Sequence, residues 1–484
     1  MTRGIVAYSA YVPGYRLDGA ELAAAHGAPP IQGKRVVCAF DEDSSTMAVA
    51  AARAALGTTE VRPSSLYLAT TSPVYADKTN AVTVHAALAL ESHVFAADLA
   101  GSARGSVAAF KAAAWSGGLA VLADVRTGRP ASADETSGGD GAAAFVFADP
   151  GSGADVIAEL VAEASATEEF LDRWREPGQA GSLQWEERFG LERYLPLITQ
   201  ASAAALAAAG IERADHVVLV SPNTAVTKRA GKLIPGRLSA GGSPLGHAGA
   251  ADLGLALAAV LDIAGPDESI LVLSAADGCD AMVFRTTKLL GARRQTVRLA
   301  DQLCRGINVA YPKYLSWRGI LAPEPPRRPE PDRPAGPPSS RARHWKYAFE
   351  GGRCQECGFV HLPPARVCKR CGAVDRMAGI RLSAGPGTGT IATYTVDKLA
   401  FSPSPPMVNA VIDFDGGGRY TMEVADCKPE QLAVGARVEL TFRSLFVAGG
   451  VRDYFWKVRL LTATDEPTET TAEALGETDV REPV

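Results

Sequence analysis

Short apolar runs alternate with alanine-rich stretches through roughly the first 290 residues. Runs such as "SSLYLATTS", "HVVLVSP" and "ESILVLSAA" read as buried strands. Segments such as "TMAVAAARAAL", "SVAAFKAAAW" and "ITQASAAALAAAG" read as helices between them. Strands alternating with helices predict an α/β domain with mainly buried sheets. Glycine- and serine-rich joints, "SGGDGAAAF" and "GGSPLGHAGAAD", separate the elements. The pattern then breaks. Residues 322–340, "APEPPRRPEPDRPAGPPSS", are a proline- and arginine-rich linker that cannot build a core and is expected to be extended, mobile or draped on the surface. From 341 to about 462 the apolar positions alternate with polar ones, in "GTIATYTV", "MVNAVIDF", "RYTMEVA" and "ARVELTF", which predicts a small all-β barrel. The acidic, apolar-poor end at 464–484 is expected to be disordered.

The length of 484 residues fits two or three domains at about 100–200 residues each, and 47% hydrophobic content is ample for large cores. A net charge of −5 argues against nucleic acid or an anionic membrane as partner. The opening "MTRGIVAYSAYVPGY" lacks the basic and apolar pattern of a signal peptide, and no apolar run approaches the roughly 20 residues of a membrane span. A reducing cytoplasm is the simplest compartment for eight cysteines, of which Cys38, Cys279, Cys304 and Cys427 are scattered like core residues.

The other four are patterned. Cys354 and Cys357 form one CxxC pair and Cys368 and Cys371 another, each followed by glycine. Two such knuckles present four thiolates in a tetrahedron, which suits a structural zinc with no open position for substrate water. Two disulfides, a metal-free ribbon and a rubredoxin-like iron site are the alternatives at this point.

Around these cysteines, "RHWKYAFEGGRCQECGFVHLPPARVCKRCGA" and the alternating segments to "DYFWKVRLL" resemble the zinc-ribbon plus OB-fold proteins of acyl-CoA metabolism. The resemblance covers roughly 341–462. It implies an accessory module that pairs with thiolase-superfamily enzymes and helps hold acyl-CoA. OB folds also bind nucleic acid, but no basic-aromatic stripe supports that here.

The first 290 residues resemble the thiolase superfamily, nearest its hydroxymethylglutaryl-CoA synthase and ketoacyl synthase III branches. "GIVAYSAYVPGYRL", "FDEDSSTMAVAAARAAL", "LYLATTSPVYADKTNAVTVHAAL", "SGGDGAAAFVFAD", "FLDRWREPG", "GSPLGHAGAADLGLALAAVL" and "LSAADGCDAMVFR" carry it. The resemblance implies a duplicated five-layer α-β-α-β-α domain, with halves at 1–155 and 156–295, forming a homodimer across the first half. A connector and linker at 296–340, a rubredoxin-like zinc ribbon at 341–380 and an OB barrel at 381–463 would complete the chain up to the acidic end.

The resemblance also places the chemistry. The family nucleophile, a cysteine at a helix N-terminus where the dipole favours the thiolate, falls at Ala103 in "DLAGSARGS". Ser102 lies one residue early and would need a base. Thr71 holds the place of the acid/base glutamate. The histidine after the next central strand falls at Ser221 or Pro222, with Asn223 left as a hydrogen-bond donor. His247 occupies the place of an active-site asparagine and could polarise a thioester carbonyl or take a proton, or be a satisfied loop residue. Tyr75 and Asp77 are expected to flank the same cavity. Arg104 would fill the emptied pocket or pair with Asp98. Asp41, Glu42 and Asp43 read as a solvated helix start with Asp41 or Asp43 near a cap, and Cys279 as core. Lys228, Arg229 and Lys232 could meet the phosphates of CoA, or form a solvated basic turn.

Three functions remain open. The chain could be the degenerate synthase-like subunit of a complex in which a partner thiolase makes or breaks a C–C bond of an acyl-CoA. It could be an acyl-CoA aldolase or acyltransferase working without cysteine, through His247, Tyr75 and backbone amides. It could be a non-catalytic acyl-CoA-binding scaffold.

Overall fold

The computed structural model describes residues 3–461, so the acidic end expected to be disordered lies outside the described residues. Ten strands make the main sheet: β1 (Arg3–Tyr11), β2 (Ser65–Thr70), β3 (Phe95–Ala100), β4 (Leu119–Asp124), β5 (Gly141–Ala148), β6 (Ala158–Ala166), β7 (Ala214–Val220), β8 (Gly236–Gly241), β9 (Ser269–Ala275) and β10 (Cys279–Thr286). Their order is β8-β7-β9-β10-β6-β1-β5-β4-β2-β3. Outward from the centre, the first half runs β1-β5-β4-β2-β3 and the second β6-β10-β9-β7-β8, the same order repeated. In each half the two outermost pairings are parallel and the inner ones antiparallel. The halves meet where β1 and β6 pair antiparallel, Gly4 opposite Glu159. A Cβ at Gly4 would lie 2.3 Å from a Val156 methyl and 2.8 Å from the Ala158 carbonyl, so this junction excludes a side chain.

Four helices position the site and the barrel: α1 (Ser44–Leu56), α2 (Gly105–Ser116), α3 (Glu187–Ala209) and α4 (Asp252–Leu261). Every residue of α4 except Ala259 is buried, as expected of a helix apolar all round and enclosed in the middle layer. Among the described residues no helix is long and apolar enough to cross a membrane.

The expected zinc ribbon is a three-stranded sheet built on Glu350–Cys354, and the expected barrel has five strands: β11 (Thr388–Asp397), β12 (Met407–Phe414), β13 (Arg419–Glu423), β14 (Arg437–Ala448) and β15 (Val451–Leu460). They run β13-β12-β11-β14-β15, and a bridge between Val424 and Val458 closes the ends. The linker is draped on this barrel, Arg328 donating to the Leu399 carbonyl at 3.2 Å, and its end departs from the extended expectation in the short helix Gly336–Arg341.

The barrel is fixed to the first half. Arg53 on α1 donates to the carbonyls of Ser383 (3.1 Å), Leu440 (2.7 Å) and Gly385, with its guanidinium 5.1 Å over the Trp456 ring. The start of α1 corrects a sequence expectation. Asp41, Glu42 and Asp43 are buried, not solvated. Asp43 does cap α1, accepting from the Thr46 amide at 2.9 Å, and it also accepts from the Tyr454 hydroxyl at 2.7 Å. Arg443 pairs with Asp41 (3.1 Å), Glu42 (3.2 Å) and Asp426, while Lys457 pairs with Asp41 at 2.9 Å. These cations come from β14 and β15, some 400 residues downstream, so no local pattern could reveal them.

Candidate functional site

The turn into α2 holds its shape through Gly105, where a Cβ would lie 2.5 Å from the Leu99 carbonyl. It places Ala103 in the wall of a cavity of about 210 Å3 between the N-termini of α2 and α4. Ser106, Ser221, His247, Asp252 and Ser274 share that wall. The two halves therefore contribute jointly, with α2 and Ser106 from the first and the rest from the second.

His247 is held by backbone. Its amide donates to the Ser137 carbonyl at 2.9 Å, and its own carbonyl accepts from the Gly139 amide at 3.2 Å. Gly246 precedes it at φ +89°, and a Cβ there would lie 2.4 Å from the Ser137 carbonyl. The ring nitrogen Nδ1 stands 3.5 Å from Asp252, whose other oxygen accepts from the Ser243 amide at 3.1 Å. The His247 and Asp252 side chains are both largely buried. This is a histidine backed by a carboxylate, at a distance longer than a firm hydrogen bond.

Behind it runs a buried polar network. Asp124 accepts from the Thr71 hydroxyl (2.6 Å), the Ala250 amide (2.8 Å) and the Ser72 hydroxyl. Arg126 donates to Thr71 at 2.9 Å and pairs with Asp134 at 3.2 Å, and Arg173 also pairs with Asp134. Burial alone would raise the Asp134 carboxyl, but Arg126 and Arg173 hold it at about 2. Thr71 is thus spent on structure in this network, and it does not line the cavity.

Other expected residues are placed elsewhere. Tyr75 does not face the cavity: its hydroxyl accepts from the Arg452 amide at 2.9 Å, at the barrel interface, and Asp77 is exposed. The barrel competes for Tyr75, which nothing in the local sequence signals. Asn223 caps the short helix Thr224–Arg229, accepting from the Ala225 amide at 3.0 Å and donating to the Glu187 carbonyl at 3.1 Å, so its amide is already used. Ser102 donates to Asp277, and no histidine bonds it among the described residues. Arg104 pairs with Asp280 at 2.8 Å and reaches Thr167 at 2.7 Å and the Asp277 carbonyl at 2.6 Å. The expected partner Asp98 instead accepts from the Asn80 and Ala81 amides, both at 2.7 Å. Lys228 and Arg229 are exposed in the last turn of the helix Thr224–Arg229 and Lys232 in the 3-10 helix Ala230–Leu233, and Cys279 is core. Asp252 and Ser274 were missed. Asp252 lies five residues after His247 in "HAGAAD", a spacing that returns to the same site only because the loop folds back.

In the ribbon, the Sγ atoms of Cys354, Cys357, Cys368 and Cys371 all lie within 4.8 Å of one another. The Cys354–Cys371 and Cys357–Cys368 separations are 3.7 and 3.6 Å. A tetrahedron with Zn–S bonds of about 2.3 Å has edges near that length, whereas a disulfide needs about 2.05 Å. All eight cysteines are free, and the donor set fits zinc.

Known proteins share these parts. Residues 346–375 match the family of the ChsH2 rubredoxin-like zinc ribbon domain, and residues 384–443 that of the ChsH2 C-terminal OB-fold domain. The chain is 30% identical over 341 residues to the hydroxymethylglutaryl-CoA synthase of Archaeoglobus fulgidus, covering 65% of this chain and 98% of that protein. It is 36% identical over 124 residues to a DUF35 domain-containing scaffold protein of Methanocaldococcus jannaschii, covering 24% of this chain and 86% of that one. Among solved structures, a hydroxymethylglutaryl-CoA synthase complexed with CoA superposes with a TM-score of 0.56 at 17% identity, over 65% of this chain and 89% of that one. The 3-oxoacyl-(acyl carrier protein) synthase III of Pseudomonas aeruginosa gives 0.51 at 21%, over 59% and 98%. Both likenesses are of fold, and they make the duplicated sheet thiolase-like. The chain therefore belongs to the hydroxymethylglutaryl-CoA synthase family, extended at its C-terminal end by a ChsH2-type zinc ribbon and OB fold.

Proposed function

We propose that this chain is the synthase-like and zinc-ribbon/OB subunit of an acyl-CoA complex in which a separate thiolase supplies the cysteine and makes or breaks the C–C bond. The observation that carries this reading is Ala103 at the N-terminus of α2, facing His247 across a cavity with no thiol in its wall. An alanine cannot carry an acyl group, and Ser102, whose hydroxyl donates to Asp277, does not line the cavity that Ala103 and His247 share. Fusion of a synthase-like domain to a relative of a scaffold protein also supports a role in assembly. In this reading the OB module helps hold the CoA part of an acyl-CoA, with Lys228, Arg229 and Lys232 available to its phosphates, and a zinc held by Cys354, Cys357, Cys368 and Cys371 is purely structural. The edge strand β3, with Phe95 60% exposed and Trp115 on α2 74% exposed, supports a homodimer across the first half. The complex works in the cytoplasm, without nucleic acid or membrane.

The test is affinity purification from the source cells with mass spectrometry of what co-elutes. A stoichiometric thiolase, and thiolysis or condensation by the pair but not by this chain alone, is the expected result. Recovery of this chain with itself only would sink the reading. A second reading, acyl-CoA aldol cleavage without cysteine, rests on the His247–Asp252 pair in the cavity wall. It requires this chain alone to cleave 3-hydroxyacyl-CoA and His247→Ala to abolish that.

A further inference from the structure

Two surface patches of opposite charge lie outside the site. On the zinc ribbon, residues 353–376 hold five basic side chains against two acidic ones, in a chain whose net charge is −5. Arg366 and Arg376 are matched by Asp375 (2.7 Å) and Glu356 (2.9 Å), and Arg353 donates to the Gly416 carbonyl at 2.9 Å, which leaves Lys369 and Arg370, both exposed at the second knuckle, with no ion-pair partner among the described residues. The same small domain exposes Phe359, Val367 and Val374, the last 53% exposed. Val367 and Val374 are partners in an antiparallel bridge, so these two exposed side chains are neighbours.

The second patch is the segment 168–193, which includes the two-stranded hairpin of Arg173–Trp174 and Leu183–Gln184 and the start of α3. It holds seven acidic side chains against four basic ones. Glu169, Glu176 and Glu186 have no ion-pair partner among the described residues, whereas Arg188 and Arg193 are taken by Glu192 and Glu168. Leu171, Leu183, Trp185 and Phe189 are exposed here, Trp185 at 55%. The underside of the hairpin is fixed to the candidate site, Arg173 pairing with Asp134 and Arg175 donating to the Thr71 carbonyl.

We infer that the zinc ribbon of one copy docks on the aromatic hairpin of a second copy of this chain. Each patch supplies what the other lacks: free cations against free carboxylates, and exposed apolar side chains on both. Each copy offers one ribbon and one hairpin, and this contact is additional to the homodimer proposed across the first half. The inference does not rest on the proposed thiolase partner.

The test is sedimentation velocity of the full-length, zinc-loaded protein in about 0.1 M and about 1 M salt, between which the screening length falls from about 10 Å to about 3 Å. A species larger than the first-half homodimer at low salt, falling to that homodimer at high salt, is expected. Lys369→Glu with Arg370→Glu should weaken that association at least tenfold, and so should Glu169→Lys with Glu186→Lys. An equimolar mixture of the two variants should associate again. Trp185→Asp checks the apolar part, and an unchanged zinc content and circular dichroism spectrum show that each variant is folded. Variants that assemble like the wild type, or a mixture that does not regain assembly, overturn the inference. So does a thiolase, or a single-stranded RNA probe, whose binding to the wild type is lost in the Lys369→Glu, Arg370→Glu variant, because either assigns the ribbon to another partner. Absence of any co-purified thiolase bears on the proposed function alone.

Discussion

Replacing Arg443 with methionine tests how the barrel is joined to the synthase-like half. The Arg443 side chain is 1% exposed and meets Asp41, Glu42 and Asp426 together, with the Tyr11 hydroxyl at 3.2 Å. Removing it leaves Asp41 with Lys457 and leaves Glu42 and Asp426 with no ion-pair partner within 4 Å among the described residues. Breaking a buried ion pair from one side costs about 3–5 kcal/mol, because the remaining charge stays dehydrated. Methionine keeps most of the volume, so little of the loss comes from a cavity. The cost should depend on pH. Burial, with Asp426 alongside and against the pull of Arg443, raises the Glu42 carboxyl from its ordinary 4.5 to about 7. A raised folded value means that protonation favours the docked state. That contribution is fully present below about 4.5 and is lost as pH rises through about 7. In the variant, protonation of Glu42 relieves part of the uncompensated charge, so destabilisation should be larger at pH 8 than at pH 5.5. Urea unfolding at the two pH values, with limited proteolysis of the 322–340 linker as a probe of barrel release, measures both effects. A loss below about 1 kcal/mol, or an equal loss at both pH values, would refute the account of a buried network holding the two domains.

Other outcomes are expected at the site and the ribbon. Incubation with radiolabelled acetyl-CoA should leave the wild type unlabelled, while Ala103→Cys should acquire label on the introduced thiol, slowly because no histidine stands at Ser221 or Pro222. Label on Ser102 in the wild type would contradict the empty-nucleophile reading. The protein should carry one zinc per chain by elemental analysis, and Cys371→Ser should lower that content and expose the ribbon to protease without changing the helical circular dichroism of the main sheet domain. Asp134, held at about 2 by Arg126 and Arg173 against an ordinary 3.8, contributes stability present above about 3.8 and lost as pH falls through about 2. The depression is worth about 2 kcal/mol at 1.36 kcal/mol per pH unit, and Asp134→Asn should flatten stability across that acid window.

The apolar periodicity determined the strands and helices of the first domain, because buried elements must be apolar at the period of their own geometry. The cysteine spacing determined the ribbon, because four thiolates on two tight turns carry their chemistry within 18 residues. The family resemblance leads to the expectation that "GSARGS" opens a helix with Ala103 at its start, and the helix Gly105–Ser116 does begin there. What only the tertiary structure decided involves partners far apart in the chain. Asp41, Glu42 and Asp43 read as solvated until β14 and β15 bring Arg443 and Lys457 against them, and Tyr75 turns to Arg452 and away from the cavity. Arg104 pairs with Asp280 across 176 residues and not with nearby Asp98, and Asn223 is consumed by Glu187. A charged or polar side chain is satisfied by whatever reaches it in three dimensions, and local sequence does not record which distant strand that will be.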